Sequence, residues 1–343
     1  MYASLDQRVN YNANVMDRIN TTNTTIQPTQ ISVKHNVSAT QMPIQCPTSQ
    51  SNTTAEPGMP AHCSHNSTHV GVAIMFEPRA NPKMTSVIQT AINNLPSGWL
   101  IEIRHSDANA QHLSSFIDDV YNKQNLTRQR IIFINKLNNF QLRDYNMIQV
   151  DHAHYSEIRD RCIPRVILFQ SDSVFCSSPT HTIDKFYQYS FIGGVWNPQT
   201  HPWLGENWCS KPGAMSPLCG FNTGLAMFDT LVMYEFTSVS GKSNWINNEY
   251  PYNRIGESAL TDGELSKVDA WLGHQLNYWR SDSGLMSRIP SEGIAKFFAV
   301  EFYYEPTYIP VGVHKPWAVG RKPWEKDLAK KCNEYGLIMP PLP

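Results

Sequence analysis

The feature that most constrains this chain is a regular alternation of apolar, β-branched runs with helical segments, which begins near residue 69. Four short runs have strand character: VGVAIMF (70–76), WLIEIRH (99–105), RIIFINK (130–136) and RVILFQSD (165–172). The first two are followed by MTSVIQTAINNL and QHLSSFIDDVYNK, in which apolar residues recur at helical spacing. Strands that alternate with helices in this way predict βαβ units around a largely parallel sheet.

The pattern loosens after Cys176, where segments rich in Gly, Pro and Trp replace the regular alternation. We therefore predict one asymmetric α/β domain over residues 68–317, with a mixed, mostly parallel sheet flanked by helices. It has a regular half, 68–175, and a looser half, 176–317. Residues 318–343 are predicted to form a C-terminal tail.

Composition limits the classes of function that are open to the chain. Its 343 residues include 28 Lys and Arg against 29 Asp and Glu, so the formal net charge is -1. Affinity for nucleic acid comes mainly from clustered Lys and Arg, so we expect no nucleic-acid partner. No run of about 18 apolar residues occurs, which predicts that no segment of this chain spans a membrane.

The first 67 residues differ from the rest because they are rich in Asn and Thr and poor in apolar side chains. Such a segment has little apolar surface to offset the entropy lost on ordering, so we predict a disordered or extended stalk. N-x-S/T sequons occur at Asn20, Asn23, Asn36, Asn52, Asn66 and Asn125. They arise either by chance in an Asn/Thr-rich tract or as N-glycosylation sites. The second interpretation places the protein in the secretory lumen (the Golgi) or outside the cell, with its anchor outside this chain.

The seven cysteines leave the compartment open. Their odd number means that at least one thiol has no partner within the chain, and no C-x-x-C spacing indicates zinc. Cys209 and Cys219 flank a segment rich in Pro and Gly. They are either a disulfide that closes this loop or two separate buried thiols.

The polar end of the fourth predicted strand is the sharpest candidate for a binding site. Gln170, Asp172 and Ser173 follow a buried apolar run, and open α/β sheets bind ligands at the carboxyl ends of their strands. Asp172 is either a ligand for a divalent cation, since Mg²⁺ and Mn²⁺ prefer oxygen ligands, or the cap of a turn.

Three more polar segments follow along the chain. GFNTG places Asn222 and Gly224 where the backbone can approach a ligand closely. TDGE carries two carboxylates, Asp262 and Glu264, on a turn ahead of a helical stretch. The third segment, GVHKPW, offers an imidazole that suits a metal and an ammonium that suits phosphate.

In this order the segments resemble a glycosyltransferase-type domain of the GT-A fold, over residues 70–317. The likeness is strongest to a family of unknown function that is related to glycosyltransferases. It is carried by ILFQSDS, FIGGVW, GFNTG, TDGE, IPSEGIAKFFAVE and PVGVHKPW. More distantly, the chain is similar to glycogenin-like sugar transferases, whose landmarks are D-x-D, F-N-[AS]-G and H-x-x-G-x-x-K-P-W.

The resemblance implies a metal site. Asp172 matches the second carboxylate of D-x-D, which in such enzymes binds a divalent metal, expected here to be Mn²⁺. Gln170 stands where the first carboxylate would be, so one of the two acids is missing. His314 and Lys315 are adjacent, unlike in the distant family. His314 as a metal ligand and Lys315 as a phosphate contact are therefore both retained.

The resemblance also implies roles in binding and proton transfer. Asn222 and Gly224 match F-N-x-G, which is expected to face the sugar or acceptor. Asp262 or Glu264 is the expected general base of an inverting transfer. The remaining candidates for the donor and nucleoside pocket lie at strand ends, where solvated loop polarity is the alternative: Ser173, Glu77, Arg79, His105 and Asp107.

We expect a transferase that moves a hexose or pentose from a nucleoside diphosphate sugar to a glycan or glycoprotein acceptor. Residues 68–175 would bind the nucleotide and residues 176–317 the acceptor. The absence of an acid at Gln170 supports a second hypothesis, a catalytically inactive relative that binds carbohydrate as a structural subunit of an extracellular assembly. A third hypothesis is a nucleotidyltransferase-like enzyme that shares only the sheet.

Overall fold

Buried apolar runs form the centre of a nine-stranded sheet. Four of its strands are parallel and lie in the order β3-β2-β1-β4. They are β1 (Gly71–Glu77), β2 (Trp99–His105), β3 (Ile131–Asn135) and β4 (Arg165–Phe169). Strand β1 is buried along its whole length, as expected for a central parallel strand covered on both faces. All four segments that the sequence predicts as strands are thereby confirmed.

The sheet continues beyond β4 in the order β7-β6-β8-β9-β5. These strands are β5 (Ser173–Phe175), β6 (Phe191–Val195), β7 (Phe221–Asp229), β8 (Ala299–Val300) and β9 (Gly312–His314). Strand β7 is antiparallel to β4 and β6, and β5 is antiparallel to β9. The other pairings are parallel, which confirms the predicted mixed, mostly parallel α/β fold.

Helices connect the strands. They are α1 (Met84–Asn94), α2 (Asp107–Lys123), α3 (Leu142–Ile148), α4 (His152–Asp160), α5 (Thr230–Ser240), α6 (Glu292–Phe298) and α7 (Glu325–Lys331), with a 3₁₀ helix at Ile183–Phe186. Helix α1 buries Met84, Val87, Ile88 and Ala91, which recur at the i, i+3, i+4 spacing of a single face. The Asp151 carboxylate caps α4 by accepting from the Ala153 N–H at 3.0 Å.

The computed structural model describes residues 59–60, 62–63, 69–123, 130–140, 142–178, 181–195, 221–240, 272–273, 275–276, 279–300, 308–314 and 325–332. The six sequons, the pair Cys209 and Cys219, and residues 1–58 of the predicted stalk lie outside these residues. Among the helices of the described ranges, none combines the length and apolarity needed to cross a bilayer.

Two disulfides tie distant parts of the chain to the sheet. Cys63 is bonded to Cys162, which follows α4, across 99 residues of sequence. Cys176, directly after β5, is bonded to Cys332, directly after α7, across 156 residues. The first bond therefore attaches the end of the predicted stalk to the domain, and the second attaches part of the predicted C-terminal tail.

Helix α4 carries a buried imidazole, that of His154. His154 packs edge-on against the rings of Phe76 and Tyr155, and neither of its ring nitrogens has a hydrogen-bond partner among the described residues. Burial, assisted by the charges of Arg104 and Arg161, lowers the pKa of His154 to about 3. The folded protein therefore keeps this ring neutral where an unfolded chain would protonate it.

This difference predicts acid-dependent stability. The pKa of a histidine in an unfolded chain is about 6.5, so below that value the unfolded state binds a proton that the native state does not. Through this proton uptake by the unfolded state, His154 should lower the free energy of unfolding by about 1.4 kcal/mol for each unit by which the pH falls between roughly 6 and 4. Urea unfolding at several pH values should show a weaker pH dependence for His154→Leu. His112→Leu, at an exposed position of α2, should keep the dependence of the wild type. Equal slopes in all three proteins would contradict this account.

Candidate functional site

Three polar side-chain atoms lie close together at the carboxyl edge of the sheet, where β4 and β9 end and β5 begins. His314 Nε2 lies 3.0 Å from Gln170 Oε1 and 3.3 Å from Asp172 Oδ1. The His314 side chain is 1% exposed and that of Asp172 is 23% exposed, so the cluster is open to solvent on the Asp172 side. Sheet pairing explains the arrangement, because Ser173 of β5 lies directly opposite His314 of β9. The turn at Gln170 and Asp172 is thereby held against the imidazole.

Gly224 of β7 forms the wall behind this cluster. Its carbonyl oxygen accepts hydrogen bonds from the Gln170 N–H at 2.8 Å and the Ser173 hydroxyl at 2.7 Å. A side chain at this position would overlap the His314 ring, so the imidazole occupies space that only glycine leaves open. The Asn222 side chain accepts from the Gly224 N–H at 2.7 Å. Asn222, Ser173 and Gly224 therefore hold the backbone around the cluster.

A buried carboxylate lies beside the cluster, at the end of β1. The Glu77 side chain is 1% exposed and accepts from the Arg79 Nε at 3.0 Å, the Arg79 Nη2 at 3.2 Å and the Arg79 backbone N–H at 3.0 Å. Asn81 donates to it at 3.2 Å, and the Ser171 hydroxyl donates to the same carboxylate oxygen, Oε2. Glu77 is therefore fully engaged within the protein, and its contact with Ser171 links β1 to the turn that carries Asp172.

Arg79 presents a fixed positive charge above this network. Its side chain is 76% exposed although two of its nitrogens bind Glu77. These hydrogen bonds, together with the negative charges of Glu77 and Asp172, raise the pKa of the Arg79 guanidinium above its usual value. Glu77 orients the guanidinium, and the exposed side chain leaves the N–H groups that do not bind Glu77 accessible to solvent.

The next strand contributes two more predicted residues. The His105 Nδ1 lies 3.0 Å from the Ser106 carbonyl oxygen, and the ring is buried. The exposed Asp107 accepts from the Asn135 and Asn138 amides at 2.5 and 2.8 Å. His105 ends β2 and Asp107 begins α2, so both residues lie at the carboxyl edge and extend the polar rim away from His314.

Three polar residues of this edge are not among the site residues that the sequence predicts. Asn109 donates to the Glu77 carbonyl oxygen at 2.8 Å and accepts from the Asn81 N–H at 3.0 Å, and the Asn81 amide also reaches Ser171 at 2.8 Å. Asn81 and Asn109 follow the ends of β1 and β2 by four residues each, and Ser171 follows the end of β4 by two. That position was the signal that could have identified them.

The structure brings together Gln170, Asp172, Ser173, Asn222, Gly224 and His314, with Arg79 close by. Three predicted residues lie outside the described residues: Asp262, Glu264 and Lys315. Their predicted roles as general base and phosphate contact stay predictions.

The donor set is chemically suited to a divalent cation such as Mn²⁺. One amide oxygen (Gln170) and one carboxylate oxygen (Asp172) both lie within 3.3 Å of one imidazole nitrogen (His314 Nε2), and Mn²⁺ accepts both oxygen and imidazole ligands. Asp172 supplies the charge, while Gln170 and His314 supply neutral donors. The remaining ligands would have to come from solvent or from a bound phosphate.

Comparison with known proteins gives one family match. A model of the family described as "Protein of unknown function (DUF5672)" matches residues 128–316, which is more than half of the chain. The match confirms the likeness to a domain of unknown function that the sequence motifs indicated. No curated protein matches the chain.

Two solved glycosyltransferase structures are among those to which this chain is similar. The apo bifunctional glycosyltransferase WbbM has 12% sequence identity and a TM-score of 0.39, over 78% of this chain and 52% of that chain. The glycosyltransferase GlyE of Streptococcus pneumoniae TIGR4 has 11% identity and a TM-score of 0.41, over 76% of this chain and 60% of that chain. The chain thus spans between half and three fifths of the length of these structures.

Because Gly224 lies so close to His314, we predict that a single methyl group added at position 224 destabilises the folded protein. Gly224→Ala should lower the free energy of unfolding by about 1–3 kcal/mol, because the new side chain must displace the imidazole. Gly293→Ala is the matched control, since a side chain there lies 3.8 Å from the Ser291 hydroxyl, on the exposed part of α6. This control should gain about 0.5–1 kcal/mol from helix propensity. Urea midpoints that shift equally in the two variants would refute the tight packing.

Proposed function

The chain belongs to the DUF5672 family, and we propose that it is a glycosyltransferase that moves a sugar from a nucleoside diphosphate to a glycan or protein acceptor. The observation that carries this proposal is the convergence of Gln170 Oε1, Asp172 Oδ1 and His314 Nε2 beside an exposed Arg79. A carboxylate, an imidazole and a guanidinium on the carboxyl edge of an α/β sheet suit a diphosphate and its metal ion.

Asp172 and His314, with Gln170 as the third donor, would hold Mn²⁺ in this proposal. The ion would supply positive charge against the departing diphosphate, which otherwise leaves as a poorly stabilised anion. The three side chains contribute a single negative charge between them, so positive charge remains to attract the donor. Gly224 and Ser173 keep the imidazole and the turn in place through their packing and hydrogen bond.

Arg79 would bind the diphosphate as a second source of positive charge. Glu77 fixes two of its nitrogens at 3.0 and 3.2 Å, so the guanidinium loses little freedom when a phosphate binds its remaining N–H groups. A planar, permanently charged donor of this kind forms strong, directional hydrogen bonds with phosphate oxygens.

Proton transfer from the acceptor hydroxyl requires a carboxylate in an inverting reaction. Asp262 and Glu264 are proposed for this role on the resemblance of the TDGE turn alone.

The two disulfides support a location in the secretory lumen or outside the cell. Disulfides persist in oxidising compartments and are rare in the cytosol. Cys63–Cys162 and Cys176–Cys332 are both formed. Together with the six sequons, the two disulfides favour a glycoprotein that resides in the secretory pathway, for example in the Golgi.

A catalytically inactive carbohydrate-binding protein is the second candidate function. The observation that favours it is Gln170, an amide in the position of the first D-x-D acid. Such a protein would bind a sugar nucleotide or glycan at the same site without releasing nucleotide.

Nucleotide release from a panel of nucleoside diphosphate sugars, with and without Mn²⁺ and candidate acceptors, tests the proposal. One donor should release nucleotide in a Mn²⁺-dependent manner. Asp172→Asn and His314→Gln should each reduce the rate about a hundredfold or more, because the leaving diphosphate loses its charge compensation. Asp184→Asn, at an exposed position of the 3₁₀ helix, is the matched control and should retain full activity.

The outcomes separate the two candidate functions. Binding of a sugar nucleotide without release by folded protein would favour the inactive carbohydrate-binding protein. Full activity of Asp172→Asn would remove the proposed metal site from the mechanism. Pyrophosphate release from a nucleoside triphosphate would point to a nucleotidyltransferase.

Arg79 can be tested separately because it is exposed. Arg79→Ala should raise the KM for the donor about tenfold, since a charged hydrogen bond to phosphate contributes roughly 1.5–3 kcal/mol. Arg79→Lys should restore part of this affinity by restoring the charge. Lys83→Ala, also exposed and near the start of α1, is the control for a general loss of positive charge. An unchanged KM in Arg79→Ala would exclude a diphosphate contact.

A further inference from the structure

A cavity of about 330 Å³ opens at the amino edge of the sheet, away from the site described above. Strand β5 begins at that site with Ser173 and ends at Phe175, so the cavity residue Cys176 lies at its opposite end. Strand β9 runs the other way, from the cavity residue Val311 towards His314. The last turn of α1 closes the cavity on one side.

The polar lining of the cavity is neutral. It consists of the amides of Asn93 and Asn94 and the hydroxyls of Ser177, Ser178 and Thr182. Among the described residues that line the cavity, none is Asp, Glu, Lys or Arg. A phosphate would find no cation here and a metal ion no carboxylate, so charged ligands are poorly matched.

His181 completes the polar lining without adding charge. Its ring stacks on Phe297, with the centroids 4.4 Å apart and the planes 7° from parallel. Burial, reinforced by the nearby charge of Lys185, lowers the pKa of this imidazole below its usual value. The ring is therefore a neutral donor and acceptor at neutral pH.

Hydrogen bonds hold the lining groups in place before any ligand binds. The Asn94 amide donates to the Phe175 carbonyl oxygen at 2.9 Å and to the Thr90 carbonyl oxygen at 3.0 Å. The Ser177 hydroxyl donates to Asn94 Oδ1 at 2.7 Å, and the Ser178 hydroxyl donates to the Ile309 carbonyl oxygen at 2.9 Å. A wall that is already ordered loses little entropy on binding.

Apolar side chains form the rest of the wall, from Pro96, Ile183 and Val311. A neutral sugar ring matches this combination, because it has apolar C–H faces and a rim of hydroxyl groups that both donate and accept. The volume is at the lower end of the range for small-molecule sites, which fits a single sugar ring or a short oligosaccharide. We propose that this cavity binds a neutral sugar residue of a glycan, at a position separate from the donor site.

Saturation-transfer NMR with the full chain tests the proposal directly. The probes are neutral monosaccharides and their β-linked disaccharides: glucose, galactose, mannose, xylose and N-acetylglucosamine. Glucose 6-phosphate and glucuronic acid serve as charged comparators. At least one neutral sugar should bind with an affinity of roughly millimolar strength, and the charged comparators should bind more weakly.

Two matched variants locate the binding. Ser177→Trp places a large ring in the mouth of the cavity at an exposed position, and it should weaken sugar binding about tenfold or more. Ser115→Trp makes the same change on the exposed surface of α2, outside the cavity, and should leave binding unchanged. Equal binding in the two variants, tighter binding of the charged comparators, or no signal from any neutral sugar would each overturn the proposal.

This inference is independent of the proposed transferase activity. Asp172→Asn should bind the neutral sugar as well as the wild type, because Asp172 lies at the other edge of the sheet. Neutral-sugar binding by a wild-type protein that releases no nucleotide from any donor would leave the cavity assignment intact and refute the transferase. Nucleotide release by a wild-type protein that binds no neutral sugar would leave the transferase intact and overturn the cavity assignment.

Discussion

The candidate site depends on a pairing of two very short strands. Strands β5 and β9 contain three residues each, come from segments about 140 residues apart, and are completely buried. Their antiparallel register places Ser173 opposite His314, which brings the imidazole to Gln170 and Asp172. The disulfide from Cys176 begins one residue after β5 and anchors that end of the pair. A shift of one residue in this register would turn His314 to the other face of the sheet and dismantle the site.

The electrostatics of the site follow from the replacement of an acid by an amide. Glu77 is already paired with Arg79, which leaves Asp172 as the negative charge at the proposed metal position. Under the proposed function, a single carboxylate holds a divalent ion less firmly than a pair of carboxylates would. The donor diphosphate must then supply part of the coordination, so metal and donor should bind together. Glu77 cannot replace the missing acid, because its oxygens are already used by Arg79, Asn81 and Ser171.

The sequence predicts those parts of the fold that are locally encoded. Strands β1 to β4 are apolar runs of five to seven residues, and the first three are followed by helices, so periodicity identifies these strands and also places Asp172 at the carboxyl edge. Strands of two or three residues, such as β8 and β9, carry no periodic signal, and their pairing is decided by distant segments. Because the pairing of β9 is not visible in the sequence, the adjacent His314 and Lys315 could not be ranked, and nothing favoured the imidazole as the metal ligand. Gly224 was expected to approach the sugar or acceptor, and the group that the structure places against it is the imidazole of His314.

The two ends of β5 and β9 invite the question of whether a ligand in the amino-edge cavity would influence the donor site. About three residues of extended strand, or roughly 10 Å, separate the two edges. The intervening residues, such as Val174 and Val313, are fully buried and packed in the core, and they offer no second arrangement for a ligand to select. These two strands, within the part of the chain that the structure describes, therefore give a change of conformation no second arrangement to act on. A sugar held in the cavity would act by tethering, because a glycan bound there has its other residues at a raised local concentration near the protein. Under the proposed function, the cavity would contribute to acceptor capture and not to the chemical step.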